Sequence, residues 1–313
     1  MTQTRSLRVA FLGNDAWSVP SLGAIARSAH DVVKVVTAEP KPAGRGGYLT
    51  PTLVAVEAER LGLPLLQTPT VKTGPGFEEL STAVPDVLAV VAYGEILPAS
   101  VLRIPTIAPV NLHFSLLPEL RGAAPVQTAL LAGLDRTGVT TIVMDQGMDT
   151  GPVILQREVA ILTEDDAGSL GARLAEVGAE VLVQTLDVLA AGPVAPAPQD
   201  PSRATLAPKF GPEDRVLEWT NPAVDLVNLV RALSPEPAAT TTFRGNGLKV
   251  LRAETVEGLG EPGRIVEVSK RGIVVATSEG GFRPLVVAPA GRRVIRIEDF
   301  VNGFRPEAGE RLG

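Results

Sequence analysis

Residues 6–13 (SLRVAFLG) run almost uninterrupted through apolar side chains and stop at a glycine, the pattern of a strand buried on both faces. A helical stretch from about Trp17 to Ser28 follows. Further apolar runs lie at 31–38, 63–67, 86–93, 108–114, 138–145 and 152–161, with a helix near 52–61. Near-continuous hydrophobicity in the early runs, separated by helical segments, predicts parallel strands covered by helices on both sides. The expectation is an α/β, doubly wound, Rossmann-like domain. Its first strand-to-helix turn reads Gly13-Asn14-Asp15-Ala16 and lacks G-x-G-x-x-G, which disfavours a dinucleotide-binding enzyme. From about Asp166 to Ala190, Leu170, Leu174, Val177, Val181 and Leu182 keep helical spacing, and Thr163 with Asp166 reads as its capping box.

The pattern breaks at 192–208 (GPVAPAPQDPSRATLAP), a proline-rich stretch that reads as a linker. Beyond it come one short helix (NPAVDLVNLVRAL) and short strands with glycine turns, consistent with a small, OB-like β-barrel. The predicted division is therefore a catalytic α/β domain over 1–191, a linker over 192–208, and a β-barrel over 209–313.

Composition narrows the chemistry. The 313 residues include no Cys and 2 His, which excludes disulfides, thiolate nucleophiles and Cys-ligated clusters and leaves no multi-histidine metal site. No metal is expected. The N-terminus reads as a polar stub rather than a signal peptide, and no 18-residue uncharged apolar run appears, so the expectation is a cytoplasmic protein with no membrane partner. Net charge is −6, but residues 207–313 carry 15 Lys+Arg against 14 Asp+Glu, while the rest carries 14 against 21. The C-terminal part is electrostatically distinct without being a basic footprint.

Two motifs stand out. Asn111-Leu112-His113 ends an apolar strand, and alternation puts Asn111 and His113 on one side. In open α/β sheets ligands bind beyond the carboxyl ends of strands, where this pair emerges. Met144-Asp145-Gln146-Gly147-Met148-Asp149-Thr150-Gly151 is a loop between strands. An Asp there serves either turn chemistry or a carboxylate aimed at His113, fixing its tautomer and supporting its charged form.

The segments carrying these motifs, NLHFSLLPELRGAAPVQTALLAG and MDQGMDTGPVI, resemble the methionyl-tRNA formyltransferases, within the wider class of 10-formyltetrahydrofolate-dependent transferases. The resemblance extends to AGRGGYLTP (43–51), VVAYGEILP (90–98) and KFGPEDRVLEW (209–219). It implies formyl transfer from 10-formyltetrahydrofolate to the α-amino group of methionyl initiator tRNA, with Asn111, His113 and Asp149 as the catalytic trio. Such an enzyme needs no Ser, Cys or Lys nucleophile, because the substrate amine attacks an activated amide; no G-x-S-x-G elbow appears. The resemblance further implies a folate pocket at Ser115, Leu116, Leu117, Pro118, Tyr93, Ile96 and Leu97, with backbone recognition of the pterin. For tRNA it implies Arg45 and Tyr48 in the loop 40–48, where Gly47 and Tyr48 stand at positions commonly held by lysines, and Lys209 and Lys249 on the barrel. Arg244 is a further candidate phosphate contact. Ser234-Pro235-Glu236-Pro237 departs from an Asn-Pro-Trp-Pro-like segment. A monomer is expected. Alternatives are a formyltransferase acting on an amino sugar nucleotide or glycinamide ribotide, a folate hydrolase, and a non-catalytic folate-binding module.

Overall fold

The first apolar run becomes β1 (Arg8–Gly13), whose side chains after Arg8 are all buried. In the computed structural model, which describes residues 5–43 and 47–313, it is followed by α1 (Val19–Ala26), β2 (Asp31–Thr37), the hairpin strands β3 (Lys41–Ala43) and β4 (Tyr48–Thr50), α2 (Leu53–Arg60), β5 (Leu65–Gln67), α3 (Gly74–Thr82) and β6 (Val87–Val91). Next come α4 (Ala99–Leu102), β7 (Ala108–His113), α5 (Pro125–Leu131), β8 (Arg136–Val143), β9 (Val153–Ala160) and α6 (Ala167–Ala191).

The strand order is β5-β2-β1-β6-β7-β8-β9. Pairing is parallel from β5 through β7 and turns antiparallel between β7 and β8. The order reverses direction between β1 and β6, which opens a crevice at their carboxyl ends. Asn14 ties that edge together. Its Nδ2 donates to Tyr93 O, while its Oδ1 accepts from Ala38 N at 2.7 Å and from Thr37 Oγ1 at 3.0 Å.

α6 begins one residue later than its apolar spacing suggested, and its cap shifts accordingly. Asp166 is the capping residue: Oδ1 accepts from Ser169 N at 2.9 Å, and Ser169 Oγ accepts from Asp166 N at 3.1 Å. The reciprocal pair is thus Asp166 with Ser169 rather than Thr163 with Asp166, because capping requires the residue just before the first helical turn. Along α6, Gly171 lies against the Trp17 indole, which meets Phe114 edge-on at 5.9 Å. A Cβ at Gly171 would come within 2.1 Å of Trp17 Cζ2. Gly171→Ala is therefore expected to lower stability by about 1–3 kcal/mol through overpacking, read as a reduced Tm. An unchanged Tm would show that Trp17 has room to retreat.

The chain divides into two compact units. One comprises Met1–Pro125, Thr137–Ala160 and Gly171–Ala207; the other comprises Val126–Arg136, Ile161–Leu170 and Pro208–Gly313. The division differs from a break at 191 and 208. Of residues 192–208, expected as a linker, 192–207 count with the first unit and are bonded to it. Ala197 exchanges both main-chain bonds with Val153 at 2.8 Å, and Arg121 pairs with Thr205 O at 2.9 Å and Ala207 N at 2.8 Å. Proline removes donors from this stretch, but the intervening residues still carry theirs and use them.

In the second unit α7 (Ala223–Leu233) is followed by β10 (Ala239–Phe243), β11 (Asn246–Val256), β12 (Ile265–Ser269), β13 (Gly272–Ala276), β14 (Gly281–Pro289), β15 (Ile295–Arg296) and α8 (Ile297–Phe304). The antiparallel order is β10-β11-β14-β13-β12, with β15 on β14. Bridges from Arg311 to Arg264 and from Leu312 to Phe243 close the path. Leu226, Val230 and Leu233 of α7 share its core with Phe243, Phe282 and Phe300. Arg231 donates to Leu162 O at 2.9 Å and Asp165 O at 2.8 Å, within this unit. No helix among the described residues is long and apolar enough to cross a membrane.

Candidate active site

β7 lies between β6 and β8, so its last residues are held on both sides: Asn111 pairs with Val90 and Ile142. Period-2 alternation sends Asn111 and His113 to one side, and both reach Asp149 across the loop that follows β8. Asn111 Nδ2 donates to Asp149 Oδ1 at 3.3 Å, and His113 Nδ1 lies 3.6 Å from Asp149 Oδ2. The second contact is too long for a hydrogen bond and is an electrostatic approach.

The His113 ring is 6% exposed, and its Nε2 lies 2.9 Å from Leu120 O. A carbonyl only accepts, so the proton of the neutral ring sits on Nε2. Nδ1 is then the nitrogen left to exchange a proton, and it faces the carboxylate. Asn111 uses one of its two amide hydrogens on Asp149, leaving the other and the carbonyl for a ligand.

The loop MDQGMDTG divides its two acids between the two readings open from sequence. Asp145 does turn chemistry: Oδ1 accepts from Gly147 N at 2.9 Å and Thr150 Oγ1 at 2.7 Å. Asp149 faces Asn111 and His113 from a left-handed backbone (φ 55°), a conformation unusual for a residue with a Cβ. Its Oδ2 also accepts from Gly122 N at 2.9 Å. Gly122 has φ 126°, and a Cβ there would lie 2.6 Å from Ala207 O, so only glycine brings that N–H to the carboxylate.

The seven residues predicted for a folate pocket separate. Tyr93 and Leu97 are 4% exposed and pack with Leu12, Leu88 and Val90, whereas Ile96 between them is 80% exposed. Burial, with the Glu95 carboxylate adding to it, pushes the Tyr93 phenol well above its ordinary range. In the Ser115–Pro118 segment the carbonyls of Ser115, Leu116 and Leu117 accept bonds within the chain. Ser115 Oγ donates to Glu119 O, Thr140 Oγ1 donates to Ser115 O, Leu117 N donates to Thr140 Oγ1, and Leu117 O accepts from Gln156 Nε2. Leu116 covers Gly138 of β8. By contrast, the main chain of Gly94–Leu97 makes no hydrogen bond among the described residues.

Of the residues predicted for tRNA, Arg45 lies outside the described residues. Tyr48 is 78% exposed on β4 beside the exposed Leu49; part of the loop 40–48 is thus a hairpin rather than an open loop. Lys209 and Lys249 are exposed. Arg244 is engaged: it grips both oxygens of Glu310, reaches Phe304 O at 3.1 Å and Arg305 O at 3.2 Å, and lies over the Phe243 ring. Its guanidinium is a brace of the barrel rather than a free phosphate contact. No three His, Cys, Asp or Glu among the described residues group to hold a metal ion.

Sequence reasoning missed the groups that hold the trio in place: Leu120 O, Gly122 N, Thr205 and Gln199. Thr205 Oγ1 receives Leu120 N at 2.8 Å, and Gln199 Nε2 donates to Asp149 O at 2.8 Å and Gly151 O at 2.7 Å. Only the presence of polar residues inside a proline-rich stretch hinted at them.

The family pattern described as formyl transferase matches residues 7–186, and that of the formyl transferase C-terminal domain matches 209–305. The chain is 41% identical over 312 residues to the methionyl-tRNA formyltransferase of Acidithiobacillus ferrooxidans, covering 99% of this chain and 100% of that protein. It is 42% identical over 304 residues to the protein of that name from Myxococcus xanthus, covering 97% of each. Among solved structures, the N-formyltransferase of Helicobacter canadensis with folinic acid and dTDP-3-aminofucose superposes with a TM-score of 0.67 at 15% identity, over 92% of this chain and 100% of that one. HypX of Aquifex aeolicus with tetrahydrofolic acid gives 0.65 at 17% identity, over 98% of this chain and 49% of that one. These two show a shared fold.

Proposed function

The chain belongs to the methionyl-tRNA formyltransferase family and is a formyl-transferring enzyme; from that footing we propose that it carries the formyl group of 10-formyltetrahydrofolate to the α-amino group of methionyl initiator tRNA, using Asn111, His113 and Asp149. The observation that carries the residue assignment is their convergence from one strand end and one loop, Asn111 and His113 each lying within 3.6 Å of Asp149.

The amine, whose free form titrates near ~7.7–8.0, attacks the formyl carbon, and the carbonyl electron pair moves onto oxygen. The unused N–H of Asn111 donates to that oxyanion. His113 Nδ1 takes the proton that the amine nitrogen must lose, directly or through water, and Asp149 stabilises the resulting imidazolium from 3.6 Å. The same proton then goes to the folate nitrogen as the carbon–nitrogen bond breaks, leaving tetrahydrofolate and the formylated amine. Because Nε2 is held by Leu120 O, the proton passes through Nδ1.

The unpaired main chain of Gly94–Leu97 beside exposed Ile96 supports recognition of the pterin edge there, with buried Leu97 and Tyr93 as its floor. The Ser115–Pro118 segment, whose Ser115, Leu116 and Leu117 carbonyls already accept bonds within the chain, supports a wall of that pocket. For the nucleic acid, Tyr48 offers an exposed ring for stacking on an unpaired base, worth about 1–3 kcal/mol. Lys209 and Lys249 offer charge to phosphates.

The test is transfer of labelled formyl from 10-formyltetrahydrofolate to methionyl initiator tRNA, to amino sugar nucleotides, and to no acceptor. Transfer to the tRNA alone is expected. Preferential labelling of a sugar nucleotide would reassign the acceptor, and acceptor-independent release of formate would indicate a hydrolase. If Lys209 and Lys249 meet phosphates, the dependence of log affinity for tRNA on log salt should flatten by about 0.7–0.9 for each lysine replaced by alanine. An unaltered slope removes that lysine from the contact.

A further inference from the structure

We propose that Gln199 is a positioning residue for formyl transfer: its carboxamide is clamped between the Arg121 guanidinium and the main chain of the Asp149 loop, and so holds the catalytic carboxylate on His113 and Asn111. The proposal rests on the formyl-transfer reading and extends it to a segment with no expected part in the chemistry.

Every hydrogen-bonding position of the Gln199 amide is used. Nε2 donates to Asp149 O at 2.8 Å and Gly151 O at 2.7 Å, and Oε1 accepts from Arg121 Nε at 3.1 Å and Nη2 at 2.6 Å. These partners fix the amide's orientation, since carbonyls require the nitrogen and the guanidinium requires the oxygen. The anchor is itself anchored: Arg121 N donates to Thr205 O at 2.9 Å, and Arg121 O accepts from Ala207 N at 2.8 Å.

The clamp acts on a strained residue. Asp149 has φ 55°, which a residue with a Cβ leaves unless its surroundings hold it. Its side chain is held by Gly122 N and its main chain by Gln199, so one face of the loop is gripped by two neighbours of the same segment, Arg121 and Gly122. Released, the backbone would relax toward negative φ and rotate the carboxylate away from Nδ1. At 3.6 Å that contact is already loose, and a misplacement of about 1 Å can cost about 100-fold in rate.

Gln199→Glu keeps the volume and the pairing with Arg121 but turns oxygen toward two carbonyls; Gln199→Leu removes every bond. In the full-length chain, steady-state transfer to methionyl initiator tRNA is expected to show kcat reduced about 10–100-fold in both, with KM for folate and tRNA essentially unmoved. In an Asp149→Ala background Gln199→Leu should lower kcat no further, because the residue acts through the missing carboxylate. Gln199→Glu serves if Gln199→Leu fails to fold. A kcat within twofold of the unaltered chain at a temperature where the variant is folded would overturn the proposal. So would a change confined to KM, or a loss that adds in full to that of Asp149→Ala. Absence of transfer by the unaltered chain would overturn the reaction assignment and the proposal together.

Discussion

Replacing His113 with alanine is expected to lower kcat for formyl transfer by about 10²–10⁴ while leaving the chain folded. The ring sits at the end of β7 with Nε2 bonded to Leu120 O, so in the proposed mechanism Nδ1 is the group that takes a proton from the amine and returns it to the folate nitrogen. Alanine leaves that exchange to water. The structural cost is contained. Leu120 O loses its donor, worth about 1–3 kcal/mol if water cannot replace it, while Leu120 N stays on Thr205. Circular dichroism and Tm alongside steady-state kinetics separate the two effects. Turnover within tenfold of the unaltered enzyme would remove the imidazole from the chemistry.

The second large effect is expected at Asp149, where two substitutions split charge from architecture. Asp149→Asn can still accept from Gly122 N but presents no negative charge to Nδ1. Asp149→Ala gives up the Gly122 bond and the Asn111 bond as well. Both are expected to lose about 10²–10⁴ in kcat, because the imidazolium of the proposed mechanism loses its counter-charge in a largely buried setting. Alanine should additionally lower Tm, since Gly122 N and Asn111 Nδ2 are left without an acceptor. If Asp149→Asn turns over normally while Asp149→Ala does not, the carboxylate serves to hold the loop and its charge has no part in the reaction.

The strands were legible because a buried parallel strand must be apolar on both faces, and the runs ending at Gly13, Ala38, Tyr93 and Phe114 announce it. α3 was not, since Gly74-Pro75-Gly76 reads as a turn and its helix takes form only by burying Leu80 against the sheet. α5 starts at Pro125, a residue suited to a first helical turn, but at 7 residues it is too short for a helical apolar period to repeat visibly. For the site, strand alternation sufficed to put Asn111 and His113 together, but nothing in the spacing of MDQGMDTG says which acid turns the chain and which one leaves it. The two differ in neighbours: Asp145 meets N–H and O–H groups of its own loop, and Asp149 meets Gly122 from 27 residues away.

Local order along the chain therefore decided the sheet, the chemical character of its carboxyl edge, and the kind of group available there: an amide, an imidazole and a carboxylate, with no thiol. Tertiary structure alone decided which imidazole nitrogen is free, because a single carbonyl, Leu120 O, is brought onto Nε2. It also decided that residues 192–207 lie bonded along the first unit rather than spanning a gap, and that Gln199 in their midst reaches Asp149. The reason is directional. Hydrophobic periodicity is written into consecutive residues, whereas a hydrogen bond between residues 50 apart depends on where two backbones are delivered by everything folded between them.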